Sequence, residues 1–458
     1  MYYKYFIIFL LFSFFLLSSC KKQDDFLNAK PNDSFSIPST LEDLSLLLNN
    51  EELFNAFADP AFGAMCGEEY YVLTPFWISL SSPIAKNCYI WSTDIYGGTQ
   101  FVSDWDQSYQ QIYYANTVLD YLPPIGRNEQ NQAQYDNVKG SALFLRAYSH
   151  YNLVQIFAMP YDSTTFAKAL GIPIKLSSDP NIKSYRSTIK EVYEQIITDA
   201  KSSVNLLPNF STKPTAVSKW AAYAFLARVY LAIRDYEQAY SYADSCLNLK
   251  TVLTDYELLN PQSNSISSNF LEEDIYHRTL TNYSIHRSFN GTFIDSTLLS
   301  QYDKDDLRLT KFFRTNNGGL RFRGSYDFKG FAYSGLAVDE ILLIRAESAA
   351  RTGKVQEGLK DLNLLLQNRY KKGTFIPLVF QQPSTLLARI LLERRKELYL
   401  RGLRWTDLRR LNLEDEHKIT LTRIINNVTY KLVPKDKKYA LPIPNKEIQL
   451  TGMPQNDR

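Results

Sequence analysis

Apolar residues recur at a spacing of three and four along most of this chain, the pattern that places them on one face of a helix. It predicts helices over 41–57, 103–121, 130–157, 187–206, 215–232, 235–249, 338–352, 355–369, 385–400 and 403–410. Between 250 and 337 the periodicity is lost. Polar, aromatic and glycine-containing stretches at 264–268, 316–319 and 330–335 read there as loops and short strands. A second irregular stretch covers about 60–102.

Two of the predicted helix pairs look like internal repeats. In the first helix of each, a small residue (Ala227, Ala346) stands where two helices must approach closely. After a short turn the second helix opens with Tyr236 or Val355, and Ala239 or Gly358 offers another small contact. Tetratricopeptide hairpins follow this logic, burying their faces only by stacking. Generic antiparallel helix packing is the plainer alternative. The expected fold is mostly α: a tetratricopeptide-like scaffold of about four helix pairs, with a loop-rich segment packed on one side.

The start of the chain follows other rules. Residues 1–20 read MYYKYFIIFLLFSFFLLSSC, with Lys4 ahead of an apolar stretch. That stretch is short of the roughly 20 residues a membrane span needs, but suits a secretory signal. Leu17-Ser18-Ser19-Cys20 resembles a bacterial lipobox, in which cleavage exposes the cysteine and its thiol is acylated. A plain signal peptide or a short anchor helix is the other reading. Acyl chains contribute about 0.8 kcal/mol per buried methylene, so two or three anchor a protein without a spanning helix. The expected organisation is a lipoprotein signal peptide over 1–19, acylated Cys20 with a flexible tether over 20–40, and one helical domain over 41–458. Within that domain 41–250 and 338–458 flank a loop-rich insertion at 251–337. Lys21-Lys22-Gln23-Asp24-Asp25 resembles the tag that sends such lipoproteins to the outer face of the outer membrane.

Composition narrows the chemistry. With 51 basic against 48 acidic residues the net charge is +3, which supplies no electrostatic footprint for nucleic acid. Beyond Cys20, the thiols Cys66, Cys88 and Cys246 lack metal-binding spacing and build no disulfide framework. One bridge, such as Cys66 to Cys88, is open to them, as are buried free thiols. His150, His277, His286 and His417 are scattered, without metal-ligand spacing. Asp303, Asp305 and Asp306 resemble a calcium loop only superficially: Arg308 stands where the sharp turn needs glycine. No catalytic constellation, metal site or cofactor motif is read, and a non-enzyme is expected.

The 32 Tyr, 27 Phe and 5 Trp name no function by themselves, and most are expected in the core or between helices; a binding face would need rings held on irregular segments outside the packed helices. The first irregular stretch offers Tyr70, Tyr71, Trp77, Trp91, Tyr96 and Trp105, with Asn87, Asp94 and Gln100 beside them. The second offers Tyr276, His277, Tyr283, Phe322, Tyr326, Phe328 and Tyr333, with Arg278, Arg321 and Arg323. Trp91, Tyr96, Tyr276 and Tyr326 are the leading ligand-binding candidates, followed by Trp77 and Asp94, with core packing the competing role for each. Trp220, Trp405 and Trp105 sit in helical motifs and are expected to be structural.

Several segments together resemble the SusD/RagB family of outer-membrane nutrient-binding lipoproteins. Glu393-Arg394-Arg395-Lys396-Glu397-Leu398 followed by Gly402-Leu403-Arg404-Trp405-Thr406-Asp407-Leu408-Arg409-Arg410 resembles a family helix motif. Pro442-Ile443-Pro444-Asn445-Lys446-Glu447-Ile448 and the late Gln455-Asn456 resemble the family's ending. Arg146-Ala147-Tyr148, Leu170-Gly171-Ile172-Pro173, and Tyr302 with Asp306 and Arg308 agree in order. Arg401 departs from the family's usual acidic residue, and Ala158 from a common glycine. The charged run reads either as a carboxylate site or as a charge network locking the last helices to the stack; the resemblance implies the network. It also implies a non-catalytic surface protein that captures a ligand, by default a glycan, and hands it to a SusC-like TonB-dependent barrel. The rivals are a surface repeat protein binding peptides or proteins, and a surface glycan hydrolase.

Overall fold

The computed structural model describes residues 38–260, 270–287, 291–316, 319–326 and 331–458. The predicted signal peptide, Cys20 and the tether up to residue 37 lie outside the described residues, as do the loop at 264–268, Phe328 and Gly330.

The helices are α1 (Leu41–Leu48), α2 (Phe62–Cys66), α3 (Thr74–Ser79), α4 (Pro83–Tyr89), α5 (Ser103–Tyr121), α6 (Gln132–Phe157), α7 (Ile189–Leu206), α8 (Lys219–Ala232), α9 (Tyr236–Leu249), α10 (Val338–Arg351), α11 (Val355–Gln367), α12 (Pro383–Glu397) and α13 (Leu403–Leu411), with a few single-turn helices besides. From α5 to α11 each helix packs on the next in sequence, and α12 returns to α10. This is the stacked-hairpin architecture that the repeats predicted.

Local chemistry explains the boundaries. Thr40 caps α1 reciprocally with Asp43, and Thr188 caps α7 with Glu191; each pair satisfies donors that a helix start leaves open. The predicted 41–57 helix breaks at Asn49-Asn50, because the Asn50 side chain accepts the Leu53 N–H and restarts the chain as the single turn Glu51–Phe54. In α11, Leu359, Leu362, Leu365 and Leu366 form one buried stripe. Gly358 lets α11 approach α10: a Cβ there would stand 2.8 Å from the Ala346 carbonyl oxygen. Ala227 and Ala346 are both buried at such approaches.

The strands form four two-stranded antiparallel pairs among the described residues. They are β1 (Tyr70–Val72) with β3 (Thr292–Ile294), β2 (Asp274–Tyr276) with β6 (Leu336–Ala337), β4 (Phe313–Asn316) with β5 (Gly319–Phe322), and β7 (Leu421–Ile425) with β8 (Val428–Leu432). The β2–β6 pair closes the 251–337 excursion just before α10 begins.

The charged motifs are interior. Arg308 donates to Asp306 (2.7 Å), Glu393 (2.6 Å) and Glu397 (3.0 Å), and Lys396 pairs with Asp306 at 2.8 Å, all fully buried. Arg369 joins Glu397 (2.7 Å) to Glu273 (2.9 Å), linking α12 to the insertion. Arg401 holds Asp339 at 2.8 Å and Arg228 holds Glu340 at 2.6 Å, both at the start of α10. Arg410 bridges Glu347 and Asp407, and Arg409 donates to the Ala158 carbonyl (2.5 Å), where the last turn of α6 leaves acceptors open. The ending is equally tied. Gln455 exchanges two hydrogen bonds with the Ile443 backbone, and Asn456 reaches the Phe157 and Leu441 carbonyls while accepting from Arg186.

Candidate functional site

Between α2 and α4 the chain leaves the helix stack over residues 67–82, carrying β1 and α3. Tyr70-Tyr71-Val72 alternates, so Tyr70 and Val72 face the core while Tyr71 stays 41% exposed. Pairing with β3 sets Tyr71 opposite Phe293, and their rings stack with centroids 5.3 Å apart and planes 16° from parallel. The β4–β5 hairpin backs this pair: the Arg321 guanidinium carbon lies 4.2 Å from the Phe293 ring centre. Gly319 is required by the same packing, since a Cβ would fall 2.2 Å from the Phe293 ring. The two irregular stretches of the sequence therefore meet in one surface.

The neighbouring helix α3 extends that surface. Leu73 and Ile78 are exposed, Phe76 is half-buried, and the backbone is tied to the second stretch by the Leu73 N–H donating to the Gly291 carbonyl at 3.3 Å. Trp77 is half-buried, its Nε1–H donating to the Lys86 carbonyl (3.2 Å), with the Lys86 ammonium 5.9 Å from its ring centre. Beneath the strand, Glu69 is buried and accepts the Leu400 N–H at 2.8 Å; burial pushes its carboxyl up to about 8. The exposed face of Tyr71 suits contact with the C–H face of a ligand.

The leading sequence candidates are placed elsewhere. Trp91, Tyr96, Tyr276 and Tyr326 are 1–3% exposed, so their rings offer no face to a surface ligand. Each fills a core position with a specific partner, which corrects the expectation of a surface role. Trp91 donates its Nε1–H to the Cys66 carbonyl (3.0 Å) under the Arg423 guanidinium. The Tyr96 hydroxyl donates to the Pro442 carbonyl. Tyr276 meets Phe144 edge-on at 5.3 Å, and Tyr326 stacks on Tyr333 at 3.9 Å. Asp94 is exposed but occupied in a turn, accepting the Tyr96 and Gly97 N–H groups at 3.0 Å. Trp105, Trp220 and Trp405 are buried in their helices. Sequence reasoning missed Phe293. Its signal was the short Thr292-Phe293-Ile294 alternation, the counterpart of Tyr70-Tyr71-Val72.

The histidines do not converge. His150 is buried and accepts the Lys175 N–H at 3.3 Å, with its ring held near 3 by burial; His286, also buried, is held near 4. Among the described residues no group of three or more His, Cys, Asp or Glu side chains is arranged to hold a metal ion. A cavity of about 570 Å³ lies apart from the β1–β3 surface, between Phe210, Trp220, Lys250, Phe270 and Glu272.

Comparison with known proteins bears on the fold and the family. Residues 25–231 match a family described as "Starch-binding associating with outer membrane", and residues 338–457 match the SusD family. SusD-like protein P2 of Formosa agariphila is 31% identical over 145 residues, 31% of this chain and 26% of that protein, so the match spans about a quarter of that relative. A SusD superfamily protein from Bacteroides thetaiotaomicron superposes with a TM-score of 0.74 at 22% identity, covering 92% of this chain and all of that one. A SusD-like carbohydrate binding protein from Bacteroides vulgatus gives 0.69 at 22% identity, covering 91% and 97%. At these identities the structures establish a common fold.

Proposed function

The chain belongs to the SusD/RagB family, and from that membership we propose a non-catalytic cell-surface binding lipoprotein that captures an oligosaccharide or polysaccharide and delivers it to a SusC-like TonB-dependent barrel. The observation that carries the binding role is the stacked Tyr71–Phe293 pair, held outside the helix stack with Tyr71 open to water. A sugar ring laid on Tyr71 has the exposed edge of α3 beside it. Anchoring through acylated Cys20 would hold this surface at the outer membrane. No described helix is long and apolar enough to cross a membrane, and a lipid anchor needs none.

Glycans are favoured over peptides as the ligand because the offered surface is a flat ring pair rather than a groove with paired backbone donors and acceptors. The rigid stack beneath it suits a protein that docks as a body onto a barrel and presents its ligand there.

Purified protein is screened on a glycan array, followed by calorimetry on the hits. The expected result is saturable binding to at least one oligosaccharide class and no new reducing ends after prolonged incubation. Release of reducing ends would make the protein a hydrolase. Binding to peptides with an empty glycan array would assign it the other ligand class. For delivery, isolation of the intact membrane complex should recover a large β-barrel protein together with this chain. A Cys20→Ala variant should leave the membrane fraction.

A further inference from the structure

Cys66 ends α2 and Cys88 lies in the last turn of α4, so these two residues flank the 67–82 excursion that carries Tyr71 and Trp77. In the structure both are buried thiols. The Cys66 Sγ–H donates to the Cys88 carbonyl oxygen at 3.5 Å, which sets the two thiols side by side. The third described thiol, Cys246, is buried elsewhere against the Trp220 carbonyl at 3.7 Å.

The pair is chemically uneven. Burial opposes ionisation of Cys66, but its interaction with Cys88 and the guanidinium groups of Arg423 and Arg458 outweigh it, holding that thiol below its ordinary value. Burial and the neighbouring Cys66 thiol push Cys88 well up. Arg423 also covers the site: it donates to the Met65, Gly67 and Tyr89 carbonyls and lies against the Tyr89 and Trp91 rings.

We propose that Cys66 and Cys88 form a disulfide when the exported chain folds in an oxidising compartment, closing the excursion that bears the ring surface into a covalent loop. The oxidant is a small-molecule or protein disulfide. The Cys66 thiolate attacks one sulfur of that disulfide, forms a mixed disulfide and expels the other sulfur as a thiolate. Cys88 then gives up its proton to the expelled thiolate and attacks the Cys66 sulfur, expelling the second thiolate. Two protein thiols become one disulfide, and the oxidant is reduced to two thiols. Exchange takes place before the cover of Arg423 and Trp91 closes; afterwards the bond is shielded from reductants. The link ties α2 to α4, so the β1 strand departs from and returns to one fixed point. The stabilisation follows from the chain freedom that the loop loses in the unfolded state.

The full chain is isolated from the cell envelope, denatured without reductant in excess alkylating agent, digested and analysed by mass spectrometry. Expected are a linked peptide pair joining Cys66 to Cys88, two hydrogens lighter than the separate peptides, and a fully alkylated Cys246. Cys66→Ala and Cys88→Ala should each release the other thiol for alkylation and lower Tm by similar amounts, with no further loss in the double variant. In the wild type, a protease cut within 67–87 should leave fragments that separate only after reduction. The proposal is overturned if Cys66 and Cys88 are alkylated as completely as Cys246, both as isolated and after refolding with oxidised glutathione. That result leaves the ring surface and its ligand untouched.

Discussion

Around Arg308 the protein hides charge, and around Tyr71 it shows an aromatic ring to water. Arg308 is fully buried against three carboxylates, with Lys396 and Arg369 balancing the remainder, whereas Tyr71 is 41% exposed on a short strand pair. Removing charges from water is costly, and the close pairing offsets that cost only when every partner is present. The network therefore ties α12 to the insertion and to Arg369 rather than adding much net stability. The β1–β3 surface has the opposite character. Its backbone is fixed by few hydrogen bonds, and its outward residues can vary without disturbing the stack. A charge-locked interior thus carries an exterior with a ring open to water.

The largest effect expected from breaking this contrast comes from Arg308→Ala. It leaves Asp306, Glu393 and Glu397 buried with too little compensating charge, at a cost of about 3–5 kcal/mol. Urea denaturation measures it. Lys213→Ala, at an ion pair with Glu51 that is half-exposed on both sides, should change stability by less than about 1 kcal/mol. Equal losses at the two sites would show that burial does not set the value of these pairs.

Next comes Trp91→Ala, at a residue whose sequence context suggested ligand contact but whose ring lies in the core. Truncation should cost about 3 kcal/mol and leave the ligand affinity of the folded fraction within about twofold of wild type. A large affinity loss with little destabilisation would return Trp91 to the binding site.

Trp91 shows where the sequence ran out. Helical periodicity located α5 to α13 to within a few residues, because those helices bury a regular stripe and are punctuated by caps such as Thr188 and Ser218. The charged motif read correctly as structural. Hairpin β7–β8 was missed although Asn426-Asn427, both with positive φ, joins two alternating runs. The exposed rings were the least legible. In the irregular stretches Tyr and Trp occur on both sides of a three-residue strand or a turn, and only pairing decides which side faces out. Tyr70 and Tyr71 differ by one position and by nearly the whole of their exposure. That decision depends on β3, more than two hundred residues away in sequence, so no local pattern contains it.

A smaller effect probes how the ring surface is joined to the charged interior. Glu69 precedes Tyr70, and burial raises its carboxyl from 4.5 to about 8. A carboxyl with a raised folded value favours the folded state while protonated in it. Its contribution is fully present below about 4.5 and is lost as pH rises through about 8. Tm should therefore fall as pH is raised across that window, by less than either truncation costs, and Glu69→Gln should flatten the decline while retaining an acceptor for the Leu400 N–H. An unchanged slope in the variant would mean that Glu69 is ionised throughout.

The smallest stability change, and the sharpest separation of the two regions, belongs to Tyr71→Ala. The ring is partly in water, and its stack on Phe293 contributes about 0.5–1.5 kcal/mol, so unfolding should shift by about 1 kcal/mol or less. Affinity for the glycan identified by the array should nevertheless fall about tenfold, equivalent to about 1.4 kcal/mol. Phe293→Leu should fall between wild type and Tyr71→Ala in affinity, since it removes the platform under the tyrosine while keeping apolar bulk over Gly319. The order matters more than any single value. If Tyr71 acts through contact with the sugar, affinity follows the ring and its support while stability barely moves. If Tyr71 serves only to hold β1 on β3, stability and affinity decline together, and the binding surface must be sought elsewhere, beginning with the cavity between Phe210 and Lys250.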